Sequence, residues 1–534
     1  MKEHLLVKVF LKKGKKLMSR YLKVARKEYI FSNVLAIMDV LCTSIYPILL
    51  SYIIDKFNEL KITDIINILC FFVISIVILL IIKYLNKIVK SKYQKIILQN
   101  IRDDVFSGIM TIEYKDYYSS KTEEYTSFLV NDVEQLYILF FENLMYLSNS
   151  KMMLVTYTVI LCIISWQMCI VVMGTLGLII FVPQLVGKKF QTLNLVVSES
   201  KADYLMVCEE ILYAHELINE NNRGKINNKY KTALKHMQNT NYKLEKYKSF
   251  VQIFSGATLY VQLILCFIAG VLLATRGIVS LGILASSLIY VEYVSQYSAN
   301  IVDEFLEIKS SKIYREKCLK YVKIYEHQEK RNFALIDSNL IDVNGISYVV
   351  NGKCLYNNLS FKIGCNKKYL LEGTNGSGKS TLLRILAGFI QPSEGTILLD
   401  EQLKNADMIG YIPQRRYIFE GTVLSNITLF ENYVTQQEKQ IISDLCKKMN
   451  FQYPLDYNIT RNAQNLSGGE CAKICLMREL YKDVKLLIVD EPFNDIDEKS
   501  QMDILNVLDE MNCAMIVVAH GLKDKHIFDE TICI

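Results

Sequence analysis

Charge is scarce in this sequence. Only 22% of its 534 residues are Asp, Glu, Lys or Arg, while 51% are hydrophobic, and the mean hydropathy is positive. A soluble globular chain usually carries about 25% charged residues. The formal net charge of +6 is too small to mark a nucleic-acid-binding surface and reads as lysine close to a membrane. Paired C-x-x-C spacing is missing from the 14 cysteines, and Cys70, Cys162, Cys169 and Cys266 lie inside apolar runs. They read as reduced thiols packed like small hydrophobes, which argues against disulfides and metal. No small-residue cleavage site follows a short apolar core near the N-terminus, so a removable signal peptide is not expected. The basic residues 1–28, interleaved with Leu, Val and Phe, instead predict an amphipathic helix on the cytoplasmic membrane surface.

What is present is a series of long apolar runs. A bilayer core needs about 20 mostly apolar residues per helix. Residues 65–82 contain no charge, and 29–54 contain only Asp39. Residues 152–186 are uncharged and too long for one span, with Ser165, Trp166 and Gln167 as a tight outer turn between two. Residues 249–275 and 278–302 complete six spans, the last interrupted by Glu292. The links at 55–64, 165–167 and 276–279 are short, whereas 83–150 and 187–248 are long and lysine-rich, which places both long arms in the cytoplasm. An acid within a span is costly to bury, so Asp39 and Glu292 are candidates either for a role in transport or for a water-filled lining.

From about Leu335 the pattern changes to short strands and turns. Residues 368–372 read as a buried strand, and the loop Gly373, Thr374, Asn375, Gly376, Ser377, Gly378, Lys379, Ser380 and Thr381 follows directly. An apolar-periodic helix comes next. Strand, glycine loop and helix together are the setting of a phosphate-binding loop, whose backbone N–H groups and helix N-terminus cradle an anion. Lys379 is expected on the β/γ-phosphates and Ser380 on Mg²⁺. Downstream, the apolar strand 485–490 ends in Asp490 and Glu491. Asp490 suits the Mg²⁺ shell, and Glu491 suits the base that activates water. Leu466-Ser467-Gly468-Gly469-Glu470 precedes a helix and reads by itself as an ordinary serine N-cap.

These motifs, in this order, resemble the ABC transporters, and within them the exporter half-transporters. Residues 466–470 are similar to the ABC signature, with Glu470 where Gln is commonest. Gln414 matches the Q-loop, His520 the switch histidine, Tyr348 the aromatic that stacks on adenine, and Asp497 the D-loop. Asp132 and its neighbours resemble the first coupling region. The resemblance implies a membrane α-helical domain of six spans (29–330, with arms 83–150 and 187–248) plus an α/β P-loop NTPase domain of ABC type (335–534). It implies ATP and Mg²⁺ as cofactors, with Ser380, Gln414 and Asp490 toward the metal and Glu491, His520 and Gln414 catalytic. It also implies a second half-transporter as partner, whose residues matching Ser467, Gly468, Gly469 and Glu470 close over the ATP held here. The bilayer is the other partner and nucleic acid is not one. The location is the plasma membrane, with the nucleotide-binding domain in the cytoplasm.

Three departures from the family pattern stand out. The D-loop reads Asn494-Asp495-Ile496-Asp497, the stretch before the signature reads Thr460-Arg461-Asn462, and the C-terminal tail is short. Coupling to the membrane arms is expected through residues 119–131 and 212–219. The first span starts by about Tyr29, so no cysteine-peptidase domain is expected ahead of it. The expected activity is ATP-driven export of an amphipathic cargo, a peptide or modified peptide such as a bacteriocin. A multidrug or lipid exporter and a non-pumping, ATP-gated membrane protein are the alternatives.

Overall fold

The computed structural model describes residues 18–326 except 113, 120 and 121, residues 334–519 except 337, 338, 351, 352, 375, 404, 494 and 495, and residues 526–534. The chain packs as two units. One comprises the chain up to Ile112 together with Lys121–Gln328, and the other comprises Glu113–Ser120 with Glu329–Ile534.

Among the described residues the elements of the first unit are all helices. Its elements include α1 (Arg26–Thr43), α2 (Ile45–Asp55) and α3 (Ile62–Met110), then α5 (Asn143–Ile164), α6 (Trp166–Tyr213), α7 (Glu220–Thr275), α8 (Leu281–Ser310) and α9 (Lys312–Glu326). The short helix α4 (Tyr114–Ser119) falls in the other unit. Among the described residues three helical stretches, Arg26–Asp55, Ile62–Met110 and Glu124–Ile164, are long and apolar enough to cross a membrane, with shorter apolar helices at Trp166–Thr175 and Leu259–Thr275. In hydrocarbon only a fully hydrogen-bonded backbone is tolerated, so apolar runs of this length adopt helix.

Sequence and structure differ at three places here. The first span is two helices meeting at Ser44, three residues before the buried Pro47. Proline has no N–H to give to the Thr43 carbonyl, and a helix interior breaks or kinks for that reason. The first arm returns through α4 and the helical stretch Glu124–Ile164. For the rest, the polar arms continue α3, α6 and α7, of 49, 48 and 56 residues. At about 1.5 Å per residue, each far exceeds the roughly 30 Å of hydrocarbon. The outer turn between α5 and α6 is a single residue, Ser165, in extended conformation, whose side chain accepts from the Met168 N–H. Of the predicted surface helix at 1–28, residues 1–17 lie outside the described residues. The described remainder is anchored on α3, with Tyr21 donating its hydroxyl proton to Asp104 over 2.8 Å.

The second unit is α/β. A four-stranded sheet has the order β1 (Ala334–Ile336), β5 (Glu394–Asp400), β2 (Ile341–Val350), β3 (Lys353–Ile363). A five-stranded, fully parallel sheet has the order β9 (Glu530–Cys533), β4 (Lys368–Glu372), β8 (Ala514–Val518), β7 (Leu486–Asp490), β6 (Ile409–Ile412). The central strands are continuous apolar runs, and β7 and β8 are buried along their whole length. Parallel strands covered on both faces have that composition. Two apolar cores result. One gathers β2, β3, β4 and α10 (Lys379–Leu386). The other gathers α11 (Gly468–Leu480), α12 (Glu498–Glu510) and the helix Gln436–Lys448.

Gly108 marks a backbone-to-backbone contact in the first unit. A Cβ there would come within 2.2 Å of the Tyr321 carbonyl oxygen. Gly108→Val is expected to destabilise the protein by about 1–3 kcal/mol through overpacking, read as a lower melting temperature in detergent; Cys318→Ala in the same contact region gives a cavity loss for comparison.

Candidate functional site

The parallel register builds the site. Val518 pairs with Asp490 on one side and with Leu371 on the other, and Val489 pairs with Ile412. All four strands therefore end at one edge of the sheet. The glycine loop follows β4, Gln414 follows β6 and Glu491 follows β7. A ligand crevice at the carboxyl ends of parallel strands is the general rule for such sheets.

The loop itself has the backbone its glycines allow. Gly376 and Gly378 have φ of +82° and +100°, in the left-handed region that side chains avoid. A Cβ on Gly376 would meet open space, so the limit there is conformational. The helix α10 starts directly at Lys379, with the Leu382 N–H bonded to the Gly378 carbonyl at 2.9 Å. The first N–H groups of such a helix have no partner within it and attract anions. Ser377 Oγ is buried without a hydrogen-bond partner among the described residues. A buried hydroxyl is costly when unpaired, and a phosphate oxygen would satisfy it. Lys379 is only 7% exposed and its ammonium donates to the Gly373 and Thr374 carbonyls, at 2.8 and 3.0 Å. It is folded along its own loop, close to where a phosphate would need it. Asn375 lies outside the described residues.

Ser380 Oγ donates to Asp490 Oδ1 at 3.1 Å. Asp490 is 1% exposed. Burial pushes its carboxyl above the ordinary range, and the Ser380 hydroxyl and the Arg384 guanidinium partly offset this. A divalent cation would restore the charge, and hydroxyl, carboxylate and amide oxygens are the hard donors Mg²⁺ prefers. Gln414 Nε2 donates to Glu491 Oε2 at 2.7 Å, bringing the Q-loop amide to the carboxylate after β7. Glu491 has φ of +51°, held by its N–H bonding the Val518 carbonyl at 2.9 Å. A non-glycine residue in that region is strained, and such strain gathers at functional sites. His520 lies outside the described residues, as do Asn494 and Asp495 of the D-loop.

The signature stretch belongs to the other core. Ser467 caps α11 reciprocally: its Oγ accepts from the Glu470 N–H at 3.2 Å, and Glu470 Oε2 accepts from the Ser467 N–H at 2.7 Å. Glu470 thus closes a capping box. Asp497 caps α12 through the Ser500 N–H at 3.0 Å, and that bond holds its carboxyl below the ordinary range. A Cβ on Gly469 would lie 2.5 Å from Ser500 Oγ and 3.1 Å from Asp497 Oδ1, so the glycine lets signature and D-loop pack together. Among the described residues no hydrogen bond or ion pair joins Ser467, Gly468, Gly469 or Glu470 to the glycine loop.

Tyr348, expected to stack on adenine, is 7% exposed and packs in the core of β2, β3, β4 and α10. One expectation about the arms is corrected. The arm segment that groups with the nucleotide unit is Glu113–Ser120, and the expected 119–131 overlaps it only at its first two residues. The Tyr114 ring stacks on Phe389 at 5.8 Å, and the Arg384 guanidinium lies 5.3 Å over it. Arg384 is on α10, so this contact reaches the helix that starts the loop. The aromatic run Tyr114, Tyr117 and Tyr118 was the available signal. The turn near 212–219, with a short 3₁₀ segment at His215–Leu217, stays in the helical unit.

The ABC transporter transmembrane region matches residues 29–298, and the ABC transporter domain matches residues 356–494. The chain belongs to the ABC transporters. A putative export ATP-binding/permease protein of Rickettsia typhi is 23% identical over 449 residues, 79% of this chain and 76% of that protein. The lactococcin-A transport/processing ATP-binding protein of Lactococcus lactis is 29% identical over 264 residues, 46% of this chain and 36% of that protein. In fold, a bacterial Atm1-family ABC exporter with ATP bound superposes with a TM-score of 0.80 at 16% identity, covering 96% of this chain and 94% of that one. This ABC transporter therefore has the architecture of an exporter half-transporter, a multi-pass plasma-membrane protein with a cytoplasmic nucleotide-binding domain that couples ATP hydrolysis to transport.

Glu491→Gln keeps the hydrogen-bonding shape and removes the base. ATPase turnover is expected to fall at least about 10²-fold while ATP binding, measured by filter binding of labelled nucleotide, is retained. Unchanged turnover would remove Glu491 from the base position.

Proposed function

We propose that this half-transporter works as a dimer that exports an amphipathic, peptide-like cargo, with a cationic portion recognised in the membrane domain. The observation that carries the dimer is the separation just described. The glycine loop and the signature stretch stand on different cores of one chain, so a second chain's Ser467, Gly468, Gly469 and Glu470 are needed to close over ATP. Lys379, with the loop N–H groups, would hold the phosphates. Ser380, Gln414 and Asp490 would hold Mg²⁺, which supplies charge neutralisation on the β/γ-phosphates. Glu491, held by Gln414, would take the proton from the attacking water. His520 is assigned to the γ-phosphate, and Tyr348 to adenine once its ring turns out of the core. Loop and signature closing together would draw the two membrane halves toward an outward-facing form, and hydrolysis would release it.

The peptide cargo rests on the lactococcin-A transporter among the relatives and on the two acids in the spans. Asp39 is half-buried on α1, on the helix that also gives Thr43 to a hydroxyl contact of 2.6 Å with Tyr157. Glu292 is exposed on α8. An exposed acid within a span is incompatible with lipid, so it faces water or a second chain. With both acids lining the path, Asp39→Asn and Glu292→Gln are expected to lower uptake of a cationic amphipathic peptide into inside-out proteoliposomes by about 10-fold, roughly one lost charge contact. Basal ATPase should stay within about twofold, as for sites outside the chemistry. Unchanged uptake of cationic cargo in both variants would sink the cationic assignment and leave the dimer untouched.

A further inference from the structure

The sequence singled out the loop, but not what lies beneath it. Tyr356 is on β3, directly across from Tyr348 in the β2–β3 pairing, and is 5% exposed in the core that also holds α10. A tyrosine buried this far must find partners for its hydroxyl. All of them lie where the loop passes into the first turn of α10. The hydroxyl donates to the Gly378 carbonyl oxygen, and it interacts with the Thr381 side chain and the Leu382 N–H. Burial raises the phenol above its ordinary range, so it stays protonated and a donor at any working pH. A Cβ on Gly378 would meet this same hydroxyl at 2.5 Å. Gly378 is therefore fixed twice, by its φ of +100° and by the tyrosine packed against it.

We infer that Tyr356 is a positioning residue for ATP binding: its hydroxyl ties the start of α10 to β3 and so sets the phosphate-binding N–H groups of the loop before nucleotide arrives. The physics separates this from catalysis. At a helix start the N–H groups point outward to an anion while the carbonyls point into the helix. A group bonded to the Gly378 carbonyl is thus on the helix side of the loop and does not touch phosphate. It acts on affinity, by reducing the ordering that nucleotide would otherwise have to impose. The cross-strand pair extends the effect, since Tyr356 also neighbours Tyr348, the residue assigned to adenine. The inference rests on ATP binding at this loop, and not on the cargo.

The test is Tyr356→Phe in the full-length transporter in nanodiscs, with Tyr356→Leu as second variant. The ring of Phe keeps the packing and only the hydroxyl is lost. The expected result for Phe is a KM for ATP raised about 3- to 10-fold, the size of one net hydrogen bond. The maximal ATPase rate should stay within about twofold, and the nucleotide-free melting temperature should stay close to that of the native protein. The increase in melting temperature produced by a fixed ATP concentration should shrink in parallel with affinity. Tyr356→Leu should add a loss of nucleotide-free stability on top of the raised KM. Two results would overturn the inference. One is a Phe variant with native KM. The other is a Phe variant in which the maximal rate and nucleotide-free stability fall while KM holds, because that is the signature of packing alone. Loss of all ATP binding in Lys379→Ala, used as control, keeps failure of the loop assignment distinguishable from failure of the tyrosine's role.

Discussion

The hydrogen bond from Ser380 to Asp490 joins the start of α10 to the end of β7 across the intervening β8. It exists because the three strands run parallel and in register, with Val518 beside Asp490 and Leu371 beside Val518. Without that register the glycine loop, the Q-loop amide and the strand-end acids would not share one edge. The rest of the site hangs from this edge. Glu491 takes its left-handed backbone from a bond to Val518, and Gln414 reaches it from β6. The site is a property of sheet topology first and of side chains second.

The same layout underlies the proposal that one chain holds only half of each site. The glycine loop is seated on the core of β2, β3, β4 and α10, and the signature is seated on the core of α11 and α12. Ser467 is already used as a helix cap, with Glu470 returning the bond. Its hydroxyl oxygen accepts from the Glu470 N–H while its own proton remains available to a phosphate. A capped, rigid serine at a helix N-terminus is a ready donor for an anion brought by another chain.

Much of this was legible in the residues. The glycine loop could be read because strand, glycines and helix each obey local rules that no distant contact overrides. Asp490 and Glu491 could be read because a buried parallel strand is an unbroken apolar run and its end is abrupt. Tyr356 could not, since a tyrosine among core positions looks like any other until its hydroxyl partner is known. Tyr348 shares the inward face of β2 with Ile346, a period-two alternation, but its position across from Tyr356 needed the β2–β3 pairing. In the membrane half, apolar length located the spans. It did not locate the break before Pro47, although proline offered that signal, nor the continuity of α3, α6 and α7 through their lysine-rich halves. A change of composition along a helix marks where the bilayer ends without ending the helix.

The central claim is that ATP turnover needs the loop of one chain and the signature of another. The most direct measurement is the ATPase rate per chain of the purified protein reconstituted into nanodiscs holding one chain or two, separated by mass. The account predicts turnover in the two-chain particles and a rate near background in the one-chain particles, with ATP still bound weakly by the loop. Equal rates per chain in both would contradict it.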